Sequence, residues 1–536
     1  MLFIALVATL AVATEVEEVA APPPRAEDLL SSLRQALGTP EAVPVIEYET
    51  HSVHWDGAQA RDGYGTGAAR YGEFTATVTY QASTALHLDM IPRPVYPVQW
   101  LWSWTETIVD GKHGFRKGRE AFGGPSKGVL TGTRVAVRRK LHTMGAPEVL
   151  VGEILSAADL ETAWHEGSPA LKGEWSGAPM LLVLDAETHL PTELRVTEDV
   201  AMFGDAWHTV TYDAWAEVDD LMLPSKLTWS MDGERVQTET RKGHKILSSF
   251  DYDVPKSARK SSPNAEDLKH GTHRARFHVD FVNKSFAKDM HTTEHPITPV
   301  QMSENTWFIN GPLYSVLAVD IGPEIVLVEA PYTPEKSEVT FAFIEKTWPG
   351  KTIGTAGLTH GHLDHIGGAR AYMARGITLM IPERHAETLS GYASQERTLF
   401  SDALSLSPVE PKVVGLPLGK RVIEGTEGRS VEFHVVECDH SREMLLAYVP
   451  HEKLLYVSDL YSPGIPPTRG PIGALAMSII NKQLPLAMDF FAQGAHDLSG
   501  IVDALNLDVE IVLGGHSAWE GGTMKDVHAL RDYHGK

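Results

Sequence analysis

A chain of 536 residues is too long for one ordinary hydrophobic core, so we expect two or three domains. Hydrophobic residues make up 43% and charged residues 22% of the sequence, which are proportions typical of globular domains. The formal net charge of −23 arises from 47 Lys and Arg against 70 Asp and Glu, and it disfavours nucleic acid as a partner because such a surface repels phosphates.

The first 25 residues are predicted to be a signal peptide followed by a linker. Residues 2–12 are largely apolar, and Ala11-Val12-Ala13 has the small-residue pattern of a cleavage site. The apolar segment is too short for a stable transmembrane anchor, so we expect export, most simply to a periplasm. No Lys or Arg precedes the segment, which leaves an uncleaved N-terminal anchor as the alternative.

Residues 26–255 are predicted to form a mainly antiparallel β domain. A helix over residues 26–37 comes first, because leucines recur on one face and Gly38 follows as a terminator. Alternating apolar and polar residues then predict several strands, and a short helix is predicted over residues 157–164. The predicted strands include residues 74–80, 180–184, 207–212 and 226–230. Residues 256–295, which begin with many Lys, Ser and Pro residues, are predicted to connect this domain to residues 296–536.

Part of the β domain resembles a carrier of lipid-modified proteins. Within residues 182–255, Asp185 precedes Leu190-Pro191, and later Tyr212-Asp213 precedes Leu223-Pro224. This arrangement resembles the curved antiparallel half-barrel of periplasmic lipoprotein-carrier proteins. The resemblance implies that the domain could hold an apolar ligand or dock a partner.

The sequence His360-Gly361-His362-Leu363-Asp364-His365 carries the clearest chemistry of the chain. Three imidazoles and one carboxylate fall within six positions. Neutral imidazoles and carboxylates are good ligands for zinc and similar divalent ions, and packing them together without a metal would be costly. The cluster therefore predicts a metal site. Three further candidate ligands each follow an apolar, strand-like segment: His440, Asp459 and His516.

The order of these residues resembles the metallo-β-lactamase superfamily, over roughly residue 299 to the end of the chain. The resemblance implies an α/β fold, with an αββα sandwich formed by residues 296–536 after the β-rich N-terminal domain. It also implies two metal sites. The first would use His360, His362 and His440; the second would use Asp364, His365 and His516. Asp459 would bridge the two ions, which we expect to be zinc, although manganese or iron would suit the same donors.

The same resemblance implies hydrolysis by a hydroxide that bridges the two metals. Asp364 would orient this nucleophile as well as bind metal. Asp459 stands where true β-lactamases usually carry Cys or Ser, so the chain resembles instead the glyoxalase-II-like, lactonase and phosphodiesterase branches. We therefore expect a small-molecule ester, lactone or similar electrophile as the substrate. Glu329 follows an early strand at a position where many relatives have Asp.

Two other functions remain open at this point. The β-rich half would also suit an envelope protein that binds a ligand or a partner, with a secondary metal domain. An iron-dependent oxygenase acting on sulfur compounds is the other alternative, since some superfamily members catalyse such reactions. Cys438, the single cysteine, is either a small buried apolar residue or a metal or redox residue beside His440.

Overall fold

The computed structural model describes fourteen stretches of the chain. They are residues 22–38, 43–56, 69–94, 103–120, 124–154, 159–200, 204–261, 263, 265–273, 297–311, 314–461, 463, 485–516 and 521–534. The predicted signal peptide lies almost wholly outside the described residues.

The N-terminal half is built on one antiparallel sheet of thirteen strands. Its order is β6-β5-β4-β3-β2-β1-β13-β12-β11-β10-β9-β8-β7, so two meanders meet where β1 pairs with β13. The strands are β1 Val45–Asp56, β2 Ala69–Gln81, β3 Ala85–Pro94, β4 Ser103–Val109, β5 His113–Glu120, β6 Gly124–Val129, β7 Glu161–His165, β8 Ser168–Trp175, β9 Ala178–Leu184, β10 Pro191–Val200, β11 Gly204–Val218, β12 Leu221–Met231 and β13 Glu234–Leu247. The predicted antiparallel β domain is therefore confirmed.

Three helices pack on the sheet: α1 Ala26–Leu37, α2 Gly132–Gly145 and α3 Pro147–Ile154. The predicted first helix is confirmed, and Gly38 ends it with φ +65°, a conformation that suits glycine. The helix predicted over residues 157–164 is wrong, because Glu161–His165 form strand β7 and pair with β8. Pairing with a neighbouring strand has overridden the local helical pattern there.

The predicted connection between the halves begins with two short helices, α4 Lys256–Lys260 and α5 Ala265–His273. Helix α5 packs tightly on α2, since a Cβ at Gly271 would lie 2.6 Å from the Thr133 carbonyl oxygen. Residues 274–296 lie outside the described residues. The start of the connection is thus packed on the N-terminal domain.

The C-terminal half contains two sheets. The seven-stranded sheet runs in the order β14 Thr298–Gln301, β15 Thr306–Gly311, β16 Tyr314–Asp320, β17 Ile325–Val328, β18 Ile353–Gly357, β19 Thr378–Pro382 and β20 Val413–Leu416, and it is parallel from β17 onward. The five-stranded sheet runs in the order β21 Gly419–Glu424, β22 Ser430–Val436, β23 Met444–Val449, β24 Leu454–Tyr456 and β25 Ile511–Leu513. The mixed α/β class is confirmed.

The two C-terminal sheets share a buried core, to which Phe308 and Val328 contribute from one sheet and Phe433 and Tyr456 from the other. The remaining face of each sheet contacts helices. Within the described residues of this half, the helices are α6 Pro334–Thr347, α7 Leu363–Ile366, α8 Ala369–Ala374, α9 Glu383–Gly391, α10 Ala403–Leu406, α11 Pro485–Leu505 and α12 Met524–His534, with single 3₁₀ turns at Tyr392–Ser394, Pro450–Glu452 and Ser458–Leu460. Among the described residues, no helix has both the length and the apolar character needed to span a membrane.

A loop of the C-terminal half is docked on the N-terminal sheet. Arg397 forms two contacts with Asp199 of β10, Nε–Oδ1 at 2.7 Å and Nη2–Oδ2 at 3.2 Å, and both side chains are fully buried. Asp205 accepts hydrogen bonds from the backbone and hydroxyl of Thr398. Leu399 packs against the N-terminal core. The two halves therefore share both a buried ion pair and apolar contacts.

Candidate metal centre

The candidate ligands collect at one edge of the two C-terminal sheets because each follows the end of a strand. The His360–His365 segment follows β18, Asp459 follows β24, and His516 follows β25. β24 and β25 are parallel neighbours, so their carboxyl ends meet at the same edge. His440 lies in the connection between β22 and β23. At the start of β23, Leu445 donates a backbone hydrogen bond to the Thr359 carbonyl oxygen at 2.7 Å, which joins this strand to the histidine segment.

Two adjacent glycines allow the histidine segment to lie close to the preceding strand connection. A Cβ at Gly367 would lie 2.1 Å from the Tyr332 carbonyl oxygen, and one at Gly368 would lie 2.2 Å from Ser337 Oγ. The Gly368 amide also donates to the Ala330 carbonyl at 2.8 Å. Larger residues would therefore force the segment away from its neighbours.

The first group of candidate ligands comprises His360, His362, His440 and Asp459, whose ligand atoms lie within 4.8 Å of one another. The three imidazole rings are mutually close, with centroid separations of 4.3 Å for His360 and His362 and 5.0 Å from each of these to His440. His360 and His362 are fully buried. Three imidazoles and one carboxylate at this spacing match the donor set of a zinc site.

The second group comprises Asp364, His365, Asp459 and His516, again with ligand atoms within 4.8 Å of one another. Asp459 belongs to both groups and divides its oxygens between them. Its Oδ2 lies 3.4 Å from His440 Nε2, whereas its Oδ1 lies 3.1 Å from Nε2 of both His365 and His516. The structure thus brings all seven predicted residues together and puts Asp459 between the two groups.

The donor atoms suit divalent metal binding. His360 Nδ1 lies 2.9 Å from Thr359 Oγ1, while its buried Nε2 makes no hydrogen bond within the described part of the chain. A buried polar atom without a partner destabilises a protein, and a metal ion would supply that partner. The seven side chains together provide imidazole nitrogens and carboxylate oxygens only, which suits zinc and also manganese or iron.

The histidines of the two groups have opposite pKa shifts. Burial lowers the pKa of His362 to about 3 and also lowers that of His360, with the neighbouring imidazoles adding to the effect. Although burial also disfavours a charged His516, Asp459 and Asp364 raise its pKa to about 10. The same carboxylates and Glu329 raise the pKa of His365. The lowered pKa values favour neutral imidazoles in the first group, and the raised values favour protonated imidazoles in the second.

These shifts predict that the metal affinity of the second group rises with pH. A metal ion must displace the protons on His365 and His516, so their raised pKa values weaken binding at neutral pH. The part of this weakening that comes from His516 disappears as pH rises through about 10. We expect proton release on zinc binding, measured by calorimetry in buffers that differ in ionisation enthalpy. His496→Gln, at a histidine with 72% of its side chain exposed, should show the same pH dependence. Zinc binding with no proton release would contradict the assignment.

Glu329 supports the second group from outside the ligand set. Its Oε1 accepts hydrogen bonds from Thr359 Oγ1 at 2.7 Å, Ser458 Oγ at 2.8 Å and His365 Nδ1 at 3.1 Å. Its backbone φ of +84° is unfavourable for a residue with a side chain, so these contacts hold it in a strained conformation. Sequence reasoning missed Thr359 and Ser458, for which adjacency to His360 and Asp459 was the only signal.

Replacing Glu329 with Gln is expected to weaken metal binding. The variant loses the carboxylate charge that orients His365 by accepting a hydrogen bond from the His365 Nδ1–H. Loss of a residue that hydrogen-bonds a metal ligand in this way typically costs about 10–100-fold in metal affinity. Competition with a chromophoric chelator would measure the change. Glu324→Gln is the matched control, since Glu324 accepts a hydrogen bond from Thr355 Oγ1 at 2.8 Å but is no part of the ligand cluster. Equal affinities for all three proteins would refute the positioning role.

Cys438 lies two residues before the candidate ligand His440. The Cys438 thiol contacts the Ser441 carbonyl oxygen at 3.0 Å, and burial raises the pKa of the thiol to about 11. It belongs to neither candidate metal group, which favours a packing role.

Tyr332 is buried beside the centre, where burial and then Asp364 and Asp459 raise its pKa. Most of residues 462–484 lies outside the described residues.

No protein-family model matches the chain, and no curated protein matches it. Several solved structures are similar to part of it. The metallo-beta-lactamase from Pontibacter korlensis is 16% identical, with 44% of this chain and 98% of that chain covered and a TM-score of 0.32. DIM-1 metallo-beta-lactamase is 15% identical, with coverage of 45% and 97% and a TM-score of 0.32. TMB-1 is 14% identical, with coverage of 44% and 95% and a TM-score of 0.31. The resemblance of residues 182–255 to lipoprotein carriers has no support in these structures.

Proposed function

We propose that this protein is a dinuclear metal-dependent hydrolase. The observation that carries the proposal is the pair of four-residue groups that share Asp459, each with its ligand atoms within 4.8 Å. One shared carboxylate with its two oxygens directed to different groups is the arrangement expected of a bridging ligand. We further propose that the two C-terminal sheets and their helices form the αββα sandwich that the sequence predicts for residues 296–536.

Zinc is the proposed metal, because three imidazoles leave one open position on a tetrahedral zinc, which is the arrangement of catalytic zinc sites. When bound, two zinc ions would supply Lewis acidity for the scissile group and acidify the attacking water. Manganese and iron remain alternatives that share the same donor preferences.

The chain's own groups would position the reactants. Asp364 Oδ2 lies 3.4 Å from His516 Nε2 and 3.6 Å from His365 Nε2, so its carboxylate faces the second group. From there it would orient the attacking water. His360 and His362 are fully buried, which excludes bulk water from the floor of the centre and strengthens its electrostatic interactions.

An ester, lactone or similar small electrophile is the proposed substrate class. Asp459 provides a carboxylate where antibiotic-cleaving relatives carry Cys or Ser, and this difference favours substrates other than β-lactams. We also propose that residues 1–25 direct export to a periplasm, where the enzyme would act with residues 26–255 as an accessory domain.

Metal analysis and a substrate screen test the proposal together. The purified full-length protein should contain about two zinc ions per chain and hydrolyse at least one ester, lactone or phosphodiester. Asp364→Asn should lose that activity while retaining at least part of the metal. A protein that holds no metal after zinc loading, or an Asp364→Asn variant with unchanged hydrolysis, would refute the proposal. A single tightly held iron would instead favour oxidation of a sulfur compound.

A further inference from the structure

A small cavity lies between the N-terminal sheet and helix α2, far along the chain from the metal ligands. Its volume is about 110 Å³. Aromatic and aliphatic side chains form much of its wall, among them Tyr48, Phe74, Leu86, Leu88, Met90 and Trp229. A cavity of roughly 150 Å³ lined by apolar side chains can hold one benzene ring. The present cavity therefore has about the size of a single small ring.

Three buried polar atoms in this wall have no hydrogen-bond partner among the described residues, and Thr50 Oγ1 is one of them. The indole Nε1–H of Trp229, a residue only 4% exposed, makes no hydrogen bond with any described residue. Nε2 of His142, which is 8% exposed, also makes none within the described stretches. Both side chains line the cavity. Buried polar groups are normally hydrogen-bonded, so these three atoms indicate a missing partner.

Trp229 and His142 have complementary hydrogen-bonding roles, whereas the Thr50 hydroxyl can either donate or accept. Indole nitrogen can only donate. Burial, together with the Arg241 charge, lowers the pKa of His142 to about 3, so the ring is neutral near pH 7. Because His142 already hydrogen-bonds the backbone of Ala82 through its other nitrogen, its Nε2 is left as an acceptor. One donor and one acceptor in the same wall match a hydroxyl group, which accepts one hydrogen bond and donates another.

The charges around the cavity are neutralised in pairs. Arg241 Nε lies 2.7 Å from Glu239 Oε1, and Arg138 Nε lies 2.6 Å from Glu106 Oε2. Since Arg241, Glu239 and Arg138 all line the cavity, each cation there already has a buried carboxylate beside it. An ionic ligand would find no unpaired countercharge among these side chains and would lose its hydration, so a neutral ligand is favoured.

We propose that this cavity binds a small neutral molecule that carries one hydroxyl on an apolar body of about one ring. The hydroxyl oxygen accepts a hydrogen bond from Trp229 Nε1–H, and the hydroxyl proton is donated to His142 Nε2. The apolar body contacts the aromatic and aliphatic wall. A purely apolar ligand, as the sequence resemblance implies for this domain, would leave both polar groups unpaired. The proposal is independent of the hydrolase function.

Phenol and toluene are the probes, because they have nearly the same shape and differ in the hydroxyl. The full-length protein is labelled with ¹⁵N in its indole groups, and each probe is titrated while the indole N–H resonances are recorded. Trp229→Phe identifies the Trp229 resonance by its disappearance. We expect phenol to shift this resonance and to bind at least about tenfold more tightly than toluene, the factor for one buried hydrogen bond.

The variants test each hydrogen bond separately. Trp229→Phe removes the donor and keeps a ring, and His142→Phe removes the acceptor; either one, if folded, should bring the phenol-to-toluene affinity ratio close to one. Trp164→Phe, at a tryptophan 43% exposed on strand β7, should leave the wild-type ratio intact. Failure of both probes to bind, equal affinities in the wild type, or a wild-type ratio in both folded cavity variants would overturn the proposal.

Discussion

An Asp459→Ala variant is expected to hold one metal ion per chain or fewer and to lose nearly all hydrolytic activity. The carboxylate contacts His440 through Oδ2 and both His365 and His516 through Oδ1. Its removal takes a ligand from each proposed site at once. Loss of a residue that only hydrogen-bonds a metal ligand typically lowers metal affinity or activity by about 10–100-fold. We therefore expect loss of this shared ligand to reduce activity by more than about 100-fold. Elemental analysis and steady-state kinetics would measure both effects.

The control for this variant must remove an aspartate from the same domain without touching the centre. Asp508→Ala meets this requirement, since the Asp508 side chain is 73% exposed and pairs with Lys453 on the surface. It should retain two metal ions and wild-type kinetics. If Asp459→Ala also retained two ions with unchanged activity, Asp459 would not be a bridging ligand, and the dinuclear centre would have to be assigned differently.

The second large effect is expected on stability, from Asp199→Ala at the contact between the halves. Arg397 and Asp199 are both fully buried, and their two contacts hold a C-terminal loop on strand β10. Removing one partner of a buried ion pair typically costs about 3–5 kcal/mol. We expect the lower end, about 3 kcal/mol, because Asp402 Oδ2 remains 3.3 Å from Arg397 Nη1 and still compensates the charge.

Denaturant unfolding monitored by tryptophan fluorescence would measure this loss. The double variant Asp199→Leu with Arg397→Met should recover much of the stability, since an apolar pair of similar volume removes both desolvation penalties. Glu161→Ala is the control, because Glu161 forms an exposed pair with Lys172 and should leave the unfolding midpoint unchanged. A wild-type midpoint for Asp199→Ala would mean that the buried pair contributes little to holding the halves together.

The interface also links the N-terminal sheet to the segment that carries the metal ligands. Asp402 contacts Arg397 on one side and Arg370 Nε at 2.6 Å on the other. Arg370 belongs to helix α8, which begins four residues after His365. If this chain of charges positions the candidate metal ligands, Asp199→Ala should weaken zinc binding as well as lower the stability of the fold. The double variant Asp199→Leu with Arg397→Met should then restore the stability more fully than the zinc affinity.

Composition and local pattern predicted the mixed α/β class and the candidate metal site. The density of imidazoles around His360 predicted a metal site, because packing these side chains together without a metal would be energetically costly. The alternation of apolar and polar residues predicted the antiparallel N-terminal strands. Helix Ala26–Leu37 was predicted correctly because its leucine spacing and Gly38 are local signals. Strand Glu161–His165 was not, because its conformation depends on pairing with a strand later in the chain.

Only the tertiary structure decided which groups work together across long sequence distances. Glu329 reaches Ser458, 129 positions away, and Asp199 reaches Arg397, 198 positions away. The unpaired polar atoms of Trp229 and His142 likewise become visible only when α2 is packed on the sheet. The physical reason is that the burial and the hydrogen bonding of a side chain depend on the neighbours that pack around it in the folded protein. The type of a candidate ligand, the alternation of a strand and the end of a helix depend instead on residues close together in the sequence.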